Sequence, residues 1–177
     1  MKVNRKDFTS ETLKKMKAVT KETKHDEMGF VLCRRDDGKI TYGQPTCVGE
    51  SCSIDTGKSK CKHAEKDIGI FHTHTTNDIA SIEDLVIAHD QDVMCVGRKT
   101  LIPFPLFNYR IDCYTVIDRK TKKYADKVYE DYNRIRNSLQ NKVEKNQISS
   151  KEAHIIKNNE FDKHTKKLLP LFHIFKV

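Results

Sequence analysis

Apolar positions along the chain alternate between short buried runs and longer amphipathic stretches. Steps of three and four between apolar residues predict helices, whereas short apolar runs and strict alternation predict strands. In chain order the pattern predicts a helix at 9–24, strands at 28–33, 40–42 and 68–71, a helix at 81–91, strands at 93–96 and 111–117, and helices at 124–143 and 150–159, before a closing apolar segment. This order indicates an α/β or α+β layered fold and not a helical bundle.

Two regions depart from that pattern. Residues 44–66 are rich in Cys, Gly, Ser and Lys, which predicts an irregular inserted loop. Residues 1–118 carry 18 Lys/Arg and 18 Asp/Glu, whereas 119–177 carry 15 and 7, so the net charge of +8 lies entirely in the last third. We therefore expect a neutral domain at 1–118 that contains the insert, followed by a basic helical extension at 119–177.

The basic extension has two interpretations. Its first helix has an apolar face that can pack on the domain, and acidic residues such as Asp126 and Glu130 dilute its positive charge. The other interpretation is a positive surface for nucleic acid. Packing and protein binding are favoured over nucleic-acid binding.

Several function classes are disfavoured by composition. No apolar run approaches the roughly 20 residues of a membrane-spanning helix. The first residues show no apolar segment typical of a secretory signal. Six cysteines in such a chain indicate metal ligands or reduced thiols before disulfides, so a cytoplasmic protein is expected.

The strongest chemical signal follows the strand at 68–71. His72 and His74 are two residues apart at the end of a strand and therefore point to the same side. Asp84 lies in the first turn of the next helix and can add an oxygen ligand. Two histidines and one carboxylate leave a fourth position for water, which is typical of catalytic zinc. Alternatively, Ser81 and Asp84 form only a helix-capping pair.

This segment resembles the JAMM (MPN-plus, JAB-domain) zinc metalloproteases, whose pattern is an upstream Glu followed by His-x-His, Ser and Asp. The resemblance covers about residues 10–118 and implies an MPN-like mixed β-sheet flanked by helices. It implies His72, His74 and Asp84 as the ligands of a catalytic Zn²⁺. Six residues separate His74 from Ser81, where the family has seven, and Thr75 replaces the usual proline.

The resemblance also implies catalytic roles. Glu27 would be the general base and then the acid for the leaving amine, and Ser81 would bind the oxyanion. The family glutamate usually precedes the strand glycine by three residues, whereas Glu27 precedes Gly29 by two. Asp26 has the family spacing, so it is the alternative base.

The function implied is that of a metallohydrolase: a deubiquitinase-like zinc isopeptidase or peptidase. Its substrate would be an amide bond at the C-terminus of a ubiquitin-like or small carrier protein. The alternative is a non-catalytic, zinc-stapled adaptor that binds nucleic acid or protein. RadC-like proteins share this metal motif and are associated with DNA, which supports that alternative.

A second group of potential ligands lies in the insert. Cys47, Cys52, Cys61 and His63 have the composition of a closed structural zinc site, although their spacing matches no standard zinc finger. The alternatives are free cysteines or a Cys47–Cys52 disulfide. The other three cysteines, Cys33, Cys95 and Cys113, lie in predicted strands and are interpreted as small core residues.

Overall fold

The structure, a computed structural model, describes residues 2–23, 27–43, 60–75, 80–101 and 107–177. These residues form four helices and six strands. In chain order they are α1 Ser10–Glu22, β1 Gly29–Arg34, β2 Ile40–Tyr42, β3 Lys66–Thr73, α2 Ile82–Asp90, β4 Val93–Leu101, β5 Phe107–Val116, α3 Lys122–Glu144, α4 Ser150–Leu168 and β6 Phe172–Lys176. The mixed α/β class predicted from the sequence is confirmed.

The six strands form one mixed sheet in the order β2-β1-β3-β4-β5-β6. β3 and β4 are parallel, and the other neighbours are antiparallel. The parallel pair follows from α2, because a helix between two strands returns the chain to the edge where it started. The C-terminal end of β3 and the start of α2 therefore meet at one edge of the central strands.

Helices cover both faces of the sheet. On one face, Met16 and Val19 of α1 pack with Phe30 and Phe71 of the sheet. The opposite face is covered by α2, α3 and α4, whose buried side chains include Leu85, Val128, Tyr132 and Leu168. The amphipathic patterns of α1 and α3 are thus explained, because α1 buries its apolar stripe against the sheet and α3 buries its stripe against α2 and α4.

Side-chain caps fix where the helices begin. Thr9 accepts a hydrogen bond from the backbone N–H of Thr12 at the start of α1. At the start of α4, the Ser149 hydroxyl accepts from the N–H of Glu152. These bonds satisfy amide groups that a helix end leaves without partners.

The C-terminal segment differs from its prediction. α4 continues to Leu168, well beyond residue 159, and the closing apolar segment becomes β6 after Pro170. β6 pairs with β5, so the basic region 119–177 contributes a strand to the main sheet. Phe172, which is buried, anchors this strand against the face that α2 covers.

Four cysteines form two disulfides, Cys33–Cys61 and Cys95–Cys113. The expectation of reduced or metal-bound cysteines is therefore wrong for these four. The three cysteines expected in the core are buried, as predicted, but they are also cross-linked. Cys61 cannot supply the thiolate of the expected structural zinc site, because its sulfur is bonded to Cys33.

The rest of the predicted structural zinc site stays a prediction. Cys47 and Cys52 lie outside the described residues, and His63 is exposed. Disulfides persist mainly in oxidising compartments, so the cysteines no longer support the expected cytoplasmic localisation. Among the described residues, no helix is long and apolar enough to span a bilayer.

Candidate metal centre

The two histidines of the motif lie at the end of β3. His72 is in the strand, and His74 follows it directly. The backbone N–H of His74 donates to the carbonyl of Gly97 at 2.8 Å, which extends the pairing with β4 beyond the end of β3. Because the extended backbone continues through Thr73, both imidazoles face the same side, as predicted.

Asp84 completes a cluster of three potential ligands. The Nε2 atoms of His72 and His74 are 3.1 Å apart, and each lies 3.2 Å from an oxygen of Asp84. Ligand atoms bound to Zn²⁺ at about 2.0–2.1 Å with tetrahedral angles would be about 3.3 Å apart. The three side chains therefore have the spacing that one small divalent cation requires, and they are the only such group among the described residues.

Asp84 is held in place by the capping box of α2. Its carboxylate accepts from the N–H of Ser81 at 2.7 Å, and the Ser81 hydroxyl accepts from the N–H of Asp84 at 3.0 Å. The capping interpretation and the ligand interpretation of this pair are thus compatible. The cap fixes the carboxylate at the helix start, where it faces both histidines.

Electrostatics keep this carboxylate ionised. Burial alone would raise the pKa of Asp84, but its hydrogen bonds and charge interactions with His72 and His74 outweigh burial and hold the pKa well below its usual range. Both histidines are buried. An ionised carboxylate beside two buried imidazoles is the ligand chemistry preferred by Zn²⁺ and similar divalent metals.

The cluster lies at a cleft of about 500 Å³. Glu27 and Ser81, the two predicted catalytic residues, line the same cleft as His74 and Asp84. The part of the lining that comes from α3 and α4 was not predicted from the sequence; it consists of Tyr132, Arg136, Lys157, Asn158 and Phe161. These residues have no motif, and only the packing of the two helices brings them to the metal cluster.

Glu27 is placed by the residue between the two histidines. The Thr73 hydroxyl accepts from the N–H of Met28 at 2.9 Å, and the Thr73 N–H donates to the Met28 carbonyl at 2.8 Å. These bonds fix the backbone directly after Glu27 beside the metal cluster. Asp26, the alternative base, lies outside the described residues.

No protein-family model matches the chain, and no curated protein matches it either. The residues that line the cleft are therefore the basis for the functional assignment.

Proposed function

We propose that this protein is a zinc-dependent isopeptidase or peptidase of JAMM type, built on an MPN-like sheet. The observation that carries this proposal is the cluster of His72, His74 and Asp84 beside a cleft that His74 and Asp84 line together with Glu27 and Ser81. A structural metal site would need no free carboxylate beside it. A hydrolytic site needs one, because a proton must leave water and reach the departing amine.

His72, His74 and Asp84 would hold Zn²⁺, which would supply Lewis-acid polarisation of an amide carbonyl and activation of water. Glu27 accepts the proton of the attacking water and passes it to the nitrogen of the leaving amine. The Ser81 hydroxyl oxygen accepts from the backbone N–H of Asp84. The hydroxyl hydrogen can therefore donate to the amide oxygen of the substrate as negative charge develops there. Each proton transfer thus has a named group in the cleft.

The proposed substrate is an amide bond at the C-terminus of a ubiquitin-like or small carrier protein. A cleft of about 500 Å³ is in the range of sites for small ligands. It can receive a few residues of extended chain but not a folded domain. We therefore expect only the flexible end of a protein substrate to enter it.

The second candidate is a non-catalytic adaptor that binds nucleic acid or protein. The net charge of +8 in residues 119–177 favours it. Its binding to nucleic acid would fall steeply with salt, because phosphate contacts release counterions. The structural zinc site expected in such an adaptor is less well supported, since Cys61 is bonded to Cys33.

Two variants test the proposal. Amide cleavage is measured with a fluorogenic C-terminal amide of ubiquitin, and metal per chain is measured by mass spectrometry on protein purified without added metal. We expect Glu27→Gln to lower kcat by about 100-fold or more while the metal is retained, since general acid–base groups contribute about 10²–10⁴-fold. We expect Asp84→Asn to lose both the metal and the cleavage, because it removes a charged ligand.

Matched controls make the result specific. Glu22→Gln and Asp90→Asn make the same chemical changes at exposed positions and should behave as wild type. If Asp26→Asn abolished cleavage and Glu27→Gln did not, Asp26 would be the base. Metal content unchanged in Asp84→Asn would contradict the metal centre and favour the adaptor.

A further inference from the structure

We propose that the part of the cleft formed by α3 and α4 binds an acidic segment of the substrate. This inference rests on the proposed function, and it assigns a substrate class to the same cleft. We call Arg136 of α3 and Lys157 of α4 the basic wall. Both side chains line the cleft that holds Asp84 and His74.

The two cations of the basic wall differ in how they are neutralised. Arg136 forms an ion pair with Glu83 at 3.2 Å, and Glu83 also accepts from the Tyr129 hydroxyl at 3.3 Å. Lys157 is exposed and forms no ion pair or hydrogen bond with another described residue. The Lys157 ammonium therefore leaves the basic wall with a positive charge that no described residue pairs, which suits a carboxylate of the ligand.

Aromatic side chains lie next to these cations. The rings of Tyr132 and Phe161 contact each other with centroids 6.3 Å apart, and both line the cleft. They offer apolar surface to a side chain or backbone that follows the acidic residue. The cleft thus combines a polar end at the metal cluster with a cationic and aromatic part on α3 and α4.

The acidic groups of the cleft favour a peptide over nucleic acid. Glu27, Glu83 and Asp84 all line it, so a ligand with a charge at every nucleotide would place phosphates against carboxylates. A peptide can place one or two carboxylates on the basic wall and uncharged residues elsewhere. We therefore assign the cleft to a substrate with acidic residues close to the scissile amide.

The test measures binding without turnover. The 177-residue Glu27→Gln protein is titrated into two blocked, labelled hexapeptides, one with two glutamates and one with glutamines at the same positions. Fluorescence anisotropy gives Kd. We expect the glutamate peptide to bind more tightly. Lys157→Gln in this background should weaken its binding about threefold to fivefold, as for an exposed ion pair, with little effect on the glutamine peptide.

Two further variants separate a specific site from general charge. Lys166 lies nine residues after Lys157, which is two and a half helical turns and therefore the opposite side of α4. Lys166→Gln should leave binding unchanged. Glu83→Gln should strengthen binding of the glutamate peptide, because it removes a repelling charge and frees Arg136. A purely structural role of the Glu83–Arg136 pair would produce no such gain.

Three results would overturn the inference: equal binding of the two peptides, equal effects of Lys157→Gln and Lys166→Gln, or weaker binding in Glu83→Gln. Displacement of the peptide by a single-stranded oligonucleotide, with a steep salt dependence, would also overturn the inference. The ligand of the cleft would then be nucleic acid and not a peptide. Failure of the proposed function can be distinguished from failure of this inference. In the first case the peptide would still bind the basic wall, although the protein neither held metal nor cleaved amides.

Discussion

At the scale of single residues, Thr73 joins the metal cluster to the rest of the molecule. Thr73 lies between the two histidines in the sequence, and its side chain is fully buried. The hydroxyl accepts from the Thr23 hydroxyl at 2.8 Å and from the Met28 N–H, and it lies 3.3 Å from the Met28 carbonyl. Thr73 therefore connects the end of α1, the start of β1 and the end of β3.

Loss of this hydroxyl should destabilise the fold. Valine has nearly the shape of threonine but cannot bond to Met28 or Thr23, so Thr73→Val leaves buried polar groups without partners. We expect the free energy of unfolding to fall by about 1–3 kcal/mol, measured by urea denaturation. Thr73→Ser keeps the hydroxyl and should lose less. Equal stabilities of the two variants would show that the hydroxyl contributes nothing.

The spacing of residues was enough to predict part of the site. His72 and His74 could be assigned to one site because residues two positions apart in an extended chain point to the same side. Asp84 could be added because it lies in the first turn of the helix that follows the strand. Arg136 and Lys157 could not be predicted, because their position depends on how α3 and α4 pack on α2. Local periodicity carries no information about that packing.

At the scale of secondary structure elements, local patterns predicted the existence of elements better than their extent. β2 has the predicted bounds, and Ser81 caps α2 as expected. α4 extends beyond its predicted end, where its buried residues include His164 and Thr165 instead of an apolar series. β6 was not assigned, because a short apolar run is compatible with either a strand or a buried helix.

The disulfides depend on strand register, which spacing does not reveal. Cys95 and Cys113 lie directly opposite each other in the register of β4 and β5. Cys33 in β1 is joined to Cys61, five residues before β3, although 28 positions separate them in the sequence. Only the pairing of β1 with β3 brings these two cysteines together.

Removal of the Cys33–Cys61 bond should lower stability. A cross-link that closes a loop of this length restricts the unfolded chain, so we expect Cys61→Ser to lose about 2–4 kcal/mol under oxidising conditions. With a reductant the difference from wild type should disappear, since both proteins then lack the bond. Peptide mapping without reduction should recover the Cys33–Cys61 pair, and its absence would contradict this cross-link.

At the scale of the whole molecule, α2, α3 and the C-terminal strand meet at His89. Its Nε2 lies 2.8 Å from the Thr121 hydroxyl, just before α3, and its ring contacts Phe172 of β6 edge-on with centroids 6.1 Å apart. His89 is buried, so the charge on its imidazole affects the packing of three elements. The basic region 119–177 is thereby tied to the sheet by contacts as well as by strand pairing.

Protonation of His89 should make the whole fold sensitive to acid. Burial lowers the pKa of His89 below the ordinary histidine value of about 6.5. The unfolded chain therefore binds this proton more readily than the folded protein does. The contribution of His89 to the stability of the fold is fully present above about pH 6.5, and it is lost as the pH falls below that value.

We expect the urea midpoint of the wild-type protein to fall between pH 7.5 and pH 5.5 by more than that of His89→Gln. Glutamine can still bond to Thr121 but does not titrate, so this variant lacks the His89 contribution. His154→Gln changes an exposed histidine of α4 and should keep the wild-type pH dependence. Equal falls in wild type and His89→Gln would mean that the acid sensitivity arises elsewhere. A smaller fall in His89→Gln alone would show that one buried imidazole couples pH to the packing of α2, α3 and β6.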